Sequence, residues 1–271
     1  MPDATSLLAA YDAQLRGGVG VLPDGVQPQA DGPLQRVVGG GHGGFVGYRD
    51  LAGLEGDELD ELIARQVRVF AERGERFEWK LHGHDRPADL PERLRAAGFV
   101  PEDVETVVIA DAAEVAGDPR LPEGVSLREV GGRAEFDRIA AMEEAIWQDD
   151  RSWLAANLEA EWNLDPGALT VVVAEVGDQV VCAGWVRFAA GTEFATLWGG
   201  GTLPAWCRRG IYRALVVYRA GLAAARGFRY LQVDASDDSR PILERLGFLA
   251  VTTTTPFIWT PQAVVGEPPT M

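Results

Sequence analysis

The fold is decided by residues 194–235, which read FATLWGGGTLPAWCRRGIYRALVVYRAGLAAARGFRYLQVDA. The stretch opens with a β-type run that ends in three glycines, and glycines in a strand usually mark a bulge or the close approach of a ligand. Apolar residues then recur at helical spacing between Gly210 and Gly227. They are Ile211, Leu215, Tyr218, Leu222 and Ala225. With the apolar run YLQVDA that follows, this order predicts a β-α-β unit whose first loop is the natural site for a phosphate group.

Further elements are predicted on both sides of this unit. The runs TVVVAEV (170–176) and QVVCAGWVRF (179–188) are rich in β-branched residues and are separated by Gly177-Asp178, which predicts an antiparallel hairpin. Two helices are expected before the hairpin, an amphipathic one across 136–147 and a second in the Trp- and acid-rich segment 147–162, and a final strand is expected around Pro256 to Trp259. The predicted order is a strand, two helices, three antiparallel strands, a helix, a strand, a helix and a last strand.

An internal similarity indicates that this fold is used twice. The segment AERGERF (71–77) recurs as AARGFRY (224–230), and each copy is followed by a proline-containing stretch that ends in Gly-Phe. Agreement in order over about 25 positions favours duplication over chance similarity. We expect the junction in the polar, Pro- and Gly-containing segment 111–123. The predicted division is 1–116, 117–262 and a C-terminal tail at 263–271.

Charge and hydropathy exclude several classes of function. The chain has 271 residues and a net charge of −16, from 41 acidic and 25 basic side chains. Such a field disfavours nucleic acid and anionic membrane surfaces and mildly favours a cationic small molecule. No apolar run approaches the roughly 20 residues of a membrane-spanning helix, and the start of the chain lacks the features of a secretion signal. We therefore expect a cytoplasmic protein without a nucleic-acid or membrane partner. A homodimer is left open.

Cysteine and histidine usage argues against a metal centre. Cys182 and Cys207 are the only cysteines, too few for a disulfide framework or a four-cysteine zinc site. The three histidines, His42, His82 and His84, all lie in the N-terminal half, which argues against a Ser-His-Asp hydrolase in the other half. The sequence His82-Gly83-His84 is better explained as a polar turn than as a metal site. We expect no metal.

The segment CRRGIYRAL (207–215) has the features of an anion site. The free N–H groups and the dipole of a helix's first turn attract an anion, and Arg208, Arg209 and Arg213 add positive charge where a pyrophosphate would sit. Positive side chains at a helix N-terminus oppose the dipole, and a bound anion would compensate them.

The segment 202–215, followed by VDASDDSRPILERLGF (233–248), resembles the GCN5-related N-acetyltransferase (GNAT) superfamily. In that superfamily the pattern Arg/Gln-x-x-Gly-x-Gly/Ala, between a strand and a helix, binds the pyrophosphate of acetyl-CoA. Gly210 occupies the central glycine position, whereas Cys207 and Tyr212 depart from the pattern. The resemblance implies an α/β (α+β) fold of two tandem GNAT-like domains, each a mixed, mostly antiparallel sheet flanked by helices. The implied acetyl-CoA-binding residues are Thr202, Leu203, Cys207, Arg208, Arg209, Gly210, Ile211, Tyr212 and Arg213, with the backbone of the first two pairing with the pantetheine arm.

The repeat predicts only one acetyl-CoA site. The same offset places Arg208 to Gly210 opposite Glu55 to Asp57, within the acidic stretch LEGDELDEL. That stretch would repel a pyrophosphate. The N-terminal half is therefore interpreted as a degenerate copy that serves packing, construction of the substrate pocket or dimerisation.

Candidate catalytic and acceptor residues also follow from the resemblance. Transfer to an amine needs a neutral nucleophile and hence a proton acceptor. The resemblance implies Glu193 as the general base, the alternative being a solvated turn residue. Leu243 stands where the superfamily commonly has a tyrosine that acts as the general acid. Its absence leaves Ser236, Ser239 or water to return a proton to CoA.

Acceptor binding is assigned to aromatic and acidic residues near the covering loop, because both suit a cation. These residues are Trp147, Asp149, Asp150 and Trp198. The alternative is a helix-capping Asp pair with the tryptophans in the core. Asp234 either lines the site or caps the turn after its strand.

The predicted function is an N-acetyltransferase that moves acetyl from acetyl-CoA to a primary amine of a small, cationic acceptor by direct transfer in a ternary complex. One alternative is a non-catalytic acyl-CoA-binding sensor or interaction module, suggested by Leu243. Tandem architecture also resembles mycothiol synthase, which implies a transferase acting on a thiol precursor.

Overall fold

A computed structural model describes residues 3–18, 22, 26, 28–39 and 43–261. The predicted tail at 263–271 and His42 lie outside these ranges. The helices are α1 (Ala4–Gln14), α2 (Gly56–Glu72), α3 (Leu90–Ala96), α4 (Ala112–Val115), α5 (Arg133–Trp147), α6 (Ser152–Leu164), α7 (Ile211–Ala225) and α8 (Arg240–Arg245). The strands are β1 (Pro28–Asp31), β2 (Leu34–Val37), β3 (Gly44–Tyr48), β4 (Phe77–His82), β5 (Val100–Pro101), β6 (Glu105–Asp111), β7 (Ser126–Val130), β8 (Leu169–Val176), β9 (Gln179–Phe188), β10 (Phe194–Thr202), β11 (Tyr230–Ala235) and β12 (Leu249–Trp259).

The strands form one 12-stranded sheet in the order β1-β2-β3-β4-β12-β6-β11-β10-β9-β8-β7, with β5 paired to β12. Neighbouring strands are antiparallel except for β3 with β4 and β10 with β11, which are parallel. The mixed, mostly antiparallel sheet flanked by helices is therefore confirmed, as are the hairpin of β8 with β9 and the β10-α7-β11 unit.

The two halves exchange their last strands. Strand β6 ends the N-terminal half but lies beside β11, and β12 ends the C-terminal half but lies between β4 and β6. A single sheet thus runs through both halves instead of one sheet in each. The predicted boundary at residue 116 divides the chain in the loop after α4, but it does not divide the sheet.

The helices of the two β-α-β units bury matching faces. At the offset of the sequence repeat, the matching buried residues are Leu62, Ile63, Gln66 and Phe70 in α2, and Leu215, Val216, Arg219 and Ala223 in α7. The predicted apolar stripe of α7 is displaced from this face, since Tyr218 and Leu222 are only half-buried and Ala225 is exposed. The buried face of α7 includes the charged residue Arg219. A prediction based on apolar residues alone leaves Arg219 out and therefore places the buried face wrongly.

Helix α1 packs across the middle of the sheet, against β6 and β11. Its Leu7 and Tyr11 share a core with Val107, Ile109 and Tyr230. Helices α5 and α6 pack on the same face of the sheet further along, over β8 and β9. No helix within the described ranges is both long and apolar enough to span a bilayer.

Candidate functional site

Strands β10 and β11 diverge and leave a wedge between them. They pair only at 194–196 with 230–232, after which β10 continues to Thr202 while it pairs with β9 alone. The glycine run allows this path, because Gly199 and Gly200 have φ of 67° and 101°, which side chains disfavour. A Cβ on Gly200 would also lie 2.5 Å from the Tyr212 ring. The predicted bulge is therefore present, and its free edge faces the wedge.

A cavity of about 2050 Å³ begins at this wedge and continues across the sheet face into the N-terminal half. Residues of α1, β3 and β4 line it together with residues of β9 to β11 and the start of α7. Pockets for ligands of drug-like size typically measure about 300–1,000 Å³, so this cavity has room for two ligands.

The loop before α7 presents unneutralised positive charge. Gly210 has φ of 81° and caps α7 without a side-chain hydrogen bond, so the first N–H groups of the helix are free. Arg208 and Arg213 are exposed, and neither forms an ion pair or a hydrogen bond with a described residue. Arg209 lies over the Trp206 ring at 4.6 Å. Free N–H groups and two unpaired guanidinium groups converge at one end of the wedge.

Most residues predicted to bind acetyl-CoA line the cavity. They are Thr202, Cys207, Arg208, Gly210, Ile211, Tyr212 and Arg213. Leu203 does not fit the predicted pantetheine contact, because its N–H donates to the Val181 carbonyl at 2.9 Å. Arg209 lies outside the lining. Tyr212 is half-buried, and burial raises the pKa of its hydroxyl, although nearby Arg219 and a hydrogen bond with Ser239 oppose that rise.

The predicted catalytic residues fall in two separate places. Ser236 and Ser239 line the cavity, with their hydroxyls 3.2 Å apart. Glu193 lies at the opposite end of β10 from the glycines, outside the lining, and its 47% exposed carboxylate contacts Gln14 and Arg229. The structure therefore does not bring Glu193 to the wedge. Leu243 is fully buried in the core.

The predicted acceptor residues also separate. Trp147 and Trp198 line the cavity, and Trp147 is 59% exposed, so it is not a core residue. Asp149 is instead paired with Arg151 at 2.7 Å, and Asp150 accepts from the N–H of Ser152 at 2.9 Å. Neither aspartate lines the cavity. The N-cap of α6 is Arg151, so Asp150 lies one residue before the cap, and the pair does not cap the helix in the way the alternative interpretation expected.

Sequence reasoning missed a buried carboxylate, Glu143 of α5, behind the bulge. Its Oε2 accepts from the Trp147 indole at 2.7 Å, and its Oε1 has no hydrogen-bond partner among the described residues. A Cβ on Gly201 would lie 2.6 Å from that oxygen. Burial raises the pKa of Glu143. Its spacing of four residues from Trp147 on one helix was a usable signal.

Charged residues of the N-terminal half were missed as well. Lys80, the chain's single lysine, forms an ion pair with Asp234. Both residues line the cavity, so Asp234 faces the site and does not cap a turn. Glu78 and Glu105 line the same floor. Lys80 and Asp234 both lie inside strands in which successive side chains point to opposite faces of the sheet. Nothing in the sequence shows that the exchanged strands bring the two residues together. Within the described residues, no group of three or more His, Cys, Asp or Glu side chains is placed to hold a metal ion.

No protein-family model and no curated protein matches the sequence. Solved structures do. A GCN5-related N-acetyltransferase from Kribbella flavida has a TM-score of 0.65 at 16% identity, covering 97% of this chain and 95% of its own. A functionally unknown conserved protein from Staphylococcus epidermidis has a TM-score of 0.67 at 14% identity, covering 89% and 96%. A tandem GNAT protein from the clavulanic acid biosynthesis pathway has a TM-score of 0.61 at 13% identity, covering 95% and 94%. The chain has the GNAT fold over nearly its whole length.

Proposed function

We propose that this protein is an N-acetyltransferase that moves acetyl from acetyl-CoA to a primary amine of a small, cationic acceptor. One observation carries the proposal: the β10/β11 wedge opens at one end onto two unpaired arginines and the free N–H groups of α7. A pyrophosphate at that end would be held by backbone donors and by charge. The fold shared with GNAT structures supports acetyl-CoA as the donor.

The wedge suits the pantetheine arm. The edge of β10 beyond Thr196 does not pair with β11, so its backbone groups, apart from the Trp198 carbonyl that accepts from Arg219, are available to an extended ligand. The thioester would then lie near Trp198 and Ser236, both of which line the cavity. Direct attack by an amine requires both substrates at once, and the continuous cavity has room for both.

The proposal places one acetyl-CoA site in each chain. In the N-terminal half, α2 begins with Asp57 and Glu58 in its first turn, which disfavours an anion there. The proposed division into a degenerate N-terminal copy and a C-terminal acetyltransferase domain is supported by the matching buried faces of α2 and α7.

Calorimetric titration of acetyl-CoA tests this proposal. We expect about one equivalent to bind the wild-type chain, and at least a 100-fold weaker affinity, about 2.7 kcal/mol, for an Arg208→Glu/Arg213→Glu variant. An Arg68→Glu/Arg120→Glu variant makes the same charge change at two exposed arginines elsewhere and should bind as the wild type does. Absence of binding to the wild type would remove the acetyltransferase proposal.

A non-catalytic acyl-CoA sensor is the second candidate, favoured by the burial of Leu243 at the superfamily's tyrosine position. Release of CoA thiol in the presence of a panel of primary amines separates the two. Turnover with any amine supports the enzyme, whereas acetyl-CoA binding without turnover supports the sensor.

A further inference from the structure

A charged cluster on the cavity floor joins the two halves. Lys80 of β4 pairs with Asp234 of β11, and Gln232 donates to the second oxygen of Asp234 at 2.9 Å. The pair spans β12 and β6, the two exchanged strands that lie between β4 and β11. The Lys80 and Asp234 side chains are 18% and 12% exposed, and a largely buried ion pair needs well-placed partners, so the cluster holds these strands in a defined arrangement.

Glu105 belongs to the same floor. It lies opposite Thr254 of β12, which in turn lies opposite His82 of β4. Directly opposed residues of antiparallel strands point to the same face, so Glu105, Thr254 and His82 form one row beside the Lys80–Asp234 pair. Glu105 lines the cavity and makes no hydrogen bond or ion pair with a described residue.

Two buried polar atoms in this row lack partners. Thr254 is 0% exposed and His82 is 7% exposed, yet the Thr254 hydroxyl and the His82 Nδ1 have no hydrogen-bond partner among the described residues. The other ring nitrogen of His82 is hydrogen-bonded to the Tyr11 hydroxyl at 3.0 Å. His82 lines the cavity and its Nδ1 lies 3.9 Å from the Asp85 Oδ2, whereas Thr254 does not line the cavity. Buried polar groups are normally paired, so the row beside Glu105 has an incomplete set of hydrogen bonds.

The electrostatics around Glu105 favour proton exchange near neutral pH. Burial, followed by repulsion from Asp234, raises the pKa of Glu105 to about 7; Lys80 opposes the rise, and Glu78 and Glu102 add to it.

Two other titratable groups of this floor, His82 and Tyr11, keep one charge state across that range. Burial lowers the pKa of His82 to about 2, so its ring is neutral. Burial and Asp234 raise the pKa of Tyr11, so its hydroxyl keeps its proton. Burial also raises the pKa of Glu78.

We propose that Glu105, a residue of the N-terminal half, is the general base of the acceptor site, and that the acceptor's ammonium group binds beside it on the cavity floor. The proposal rests on the acetyltransferase function proposed above and assigns the base to the exchanged strand. Strand β6 is adjacent to β11, so Glu105 lies one strand, about 5 Å, from the strand that borders the wedge. That places it within reach of an acceptor nitrogen directly or through one water.

The proton transfers balance as follows. Glu105 takes one proton from the ammonium group, and the neutral nitrogen attacks the thioester carbonyl carbon. The carbon–sulfur bond breaks, the new amide nitrogen loses its second proton, and the CoA thiolate takes it up. Glu105 then releases its proton to water in the open cavity, leaving an acetyl amide, CoA thiol and one proton.

The first test needs no acceptor. In protein labelled with ¹³C at glutamate carboxyl groups, the resonance absent from a Glu105→Gln variant should titrate with a midpoint near 7 in the wild type. A Lys80→Met variant removes a positive charge and should move that midpoint upward. A resonance that titrates in the ordinary carboxyl range, at about 4–5, overturns the proposal.

The second test uses spermidine as the probe amine. The pH dependence of kcat/KM should show a limb that falls below about pH 7, and Glu105→Gln should remove the limb and lower kcat by about 10²- to 10⁴-fold. Glu102→Gln is the matched control, because this carboxylate is 57% exposed; it should keep the rate and the limb, with the midpoint of the limb displaced slightly downward because Glu102 adds to the raised pKa of Glu105. A Glu105→Gln enzyme with the wild-type rate and limb overturns the proposal.

Acetyl-CoA calorimetry on the same variants separates the two proposals. Glu105→Gln should bind acetyl-CoA with the wild-type affinity, which also shows that it is folded. If the wild type does not bind acetyl-CoA, the proposed donor site is refuted. If both proteins bind it but Glu105→Gln keeps the wild-type pH dependence of kcat/KM, only the assignment of Glu105 as the general base is refuted.

Discussion

The loop before α7 and the loop before α2 occupy equivalent places in two β-α-β units, yet they have opposite charge. Among the described residues, the side chains of Arg208 before α7 and Arg213 in its first turn have no partner, whereas α2 begins with Asp57 and Glu58. Strand β10 runs past its partner into a bulge, whereas β3 ends at Tyr48, two residues beyond its last pairing with β4. One backbone plan thus yields a wedge with a proposed anion site in one half and a shorter strand end with an acidic helix start in the other. The difference teaches that two units with the same backbone plan can present opposite charge at the start of their helices.

The buried polar residues of the two helices sharpen this comparison most strongly. Arg219 is 1% exposed and donates to the carbonyls of Trp185 and Trp198 at 3.0 and 2.9 Å, next to the bulge. We expect Arg219→Met to lower the free energy of unfolding by about 3 kcal/mol, since it leaves buried carbonyls unpaired. Gln66→Met should cost only about 1 kcal/mol, because its partners Arg36 and Asp31 also contact each other. Urea unfolding measures both values, and equal losses would contradict a special role for Arg219.

Two glutamates give the halves opposite responses to pH. The pKa of Glu105 is raised to about 7 by burial, so its contribution to stability is fully present below its unfolded value near 4.5 and is lost as pH rises through about 7. Glu105→Gln should therefore be more stable than the wild type by about 2 kcal/mol at pH 8 and equal to it near pH 4.5. Thermal unfolding across this range tests the prediction.

Glu175 supplies the control for that prediction. A hydrogen bond from Arg128, the largest cause, lowers the pKa of Glu175, and Arg138 adds to the effect. Its contribution is present above the unfolded pKa and is lost as pH falls. Glu175→Gln should accordingly destabilise the protein at pH 8, and a gain in stability there would break the contrast.

The smallest expected difference concerns the glycines of the two strands. Gly200→Ala places a Cβ 2.5 Å from the Tyr212 ring at a φ of 101°, so we expect a loss of about 1.5 kcal/mol. In β3, a Cβ on Gly47 would lie 3.1 Å from the Phe45 ring without an unfavourable φ, and Gly47→Ala should cost less than about 0.5 kcal/mol. Denaturant unfolding of each variant, with Gly200→Ala/Tyr212→Ala as the steric control, measures the contrast. Similar losses for the two alanines would mean that the bulge is not under special constraint.

Much of the fold was predictable from local pattern. The hairpin of β8 and β9, the helix α7 and the strand β11 follow from β-branched runs, helical spacing and flanking glycines, and all three form as predicted. The segment at 207–213 could be predicted because its three arginines and Gly210 lie within six consecutive residues of the sequence.

The remaining site depends on contacts between distant segments. Lys80, Glu105 and Asp234 line one cavity because β6 and β12 are exchanged between the two halves. The local periodicity of a sequence does not indicate such an exchange. Glu193 illustrates the opposite case, because its strand was predicted correctly but the position on that strand lies far from the wedge. Spacing in the sequence identifies strands and loops, but it does not reveal which end of a strand faces a ligand.

The exchange of β6 and β12 has a consequence for how the chain is made. During synthesis the N-terminal half emerges first, but its strand β4 has no neighbour on one side until β12, at residues 249–259, has been translated. Neither half can complete its sheet alone, so we expect the two to unfold in a single cooperative transition and separately expressed halves to remain aggregation-prone. The nascent N-terminal half would then be the stage at which a chaperone is most needed.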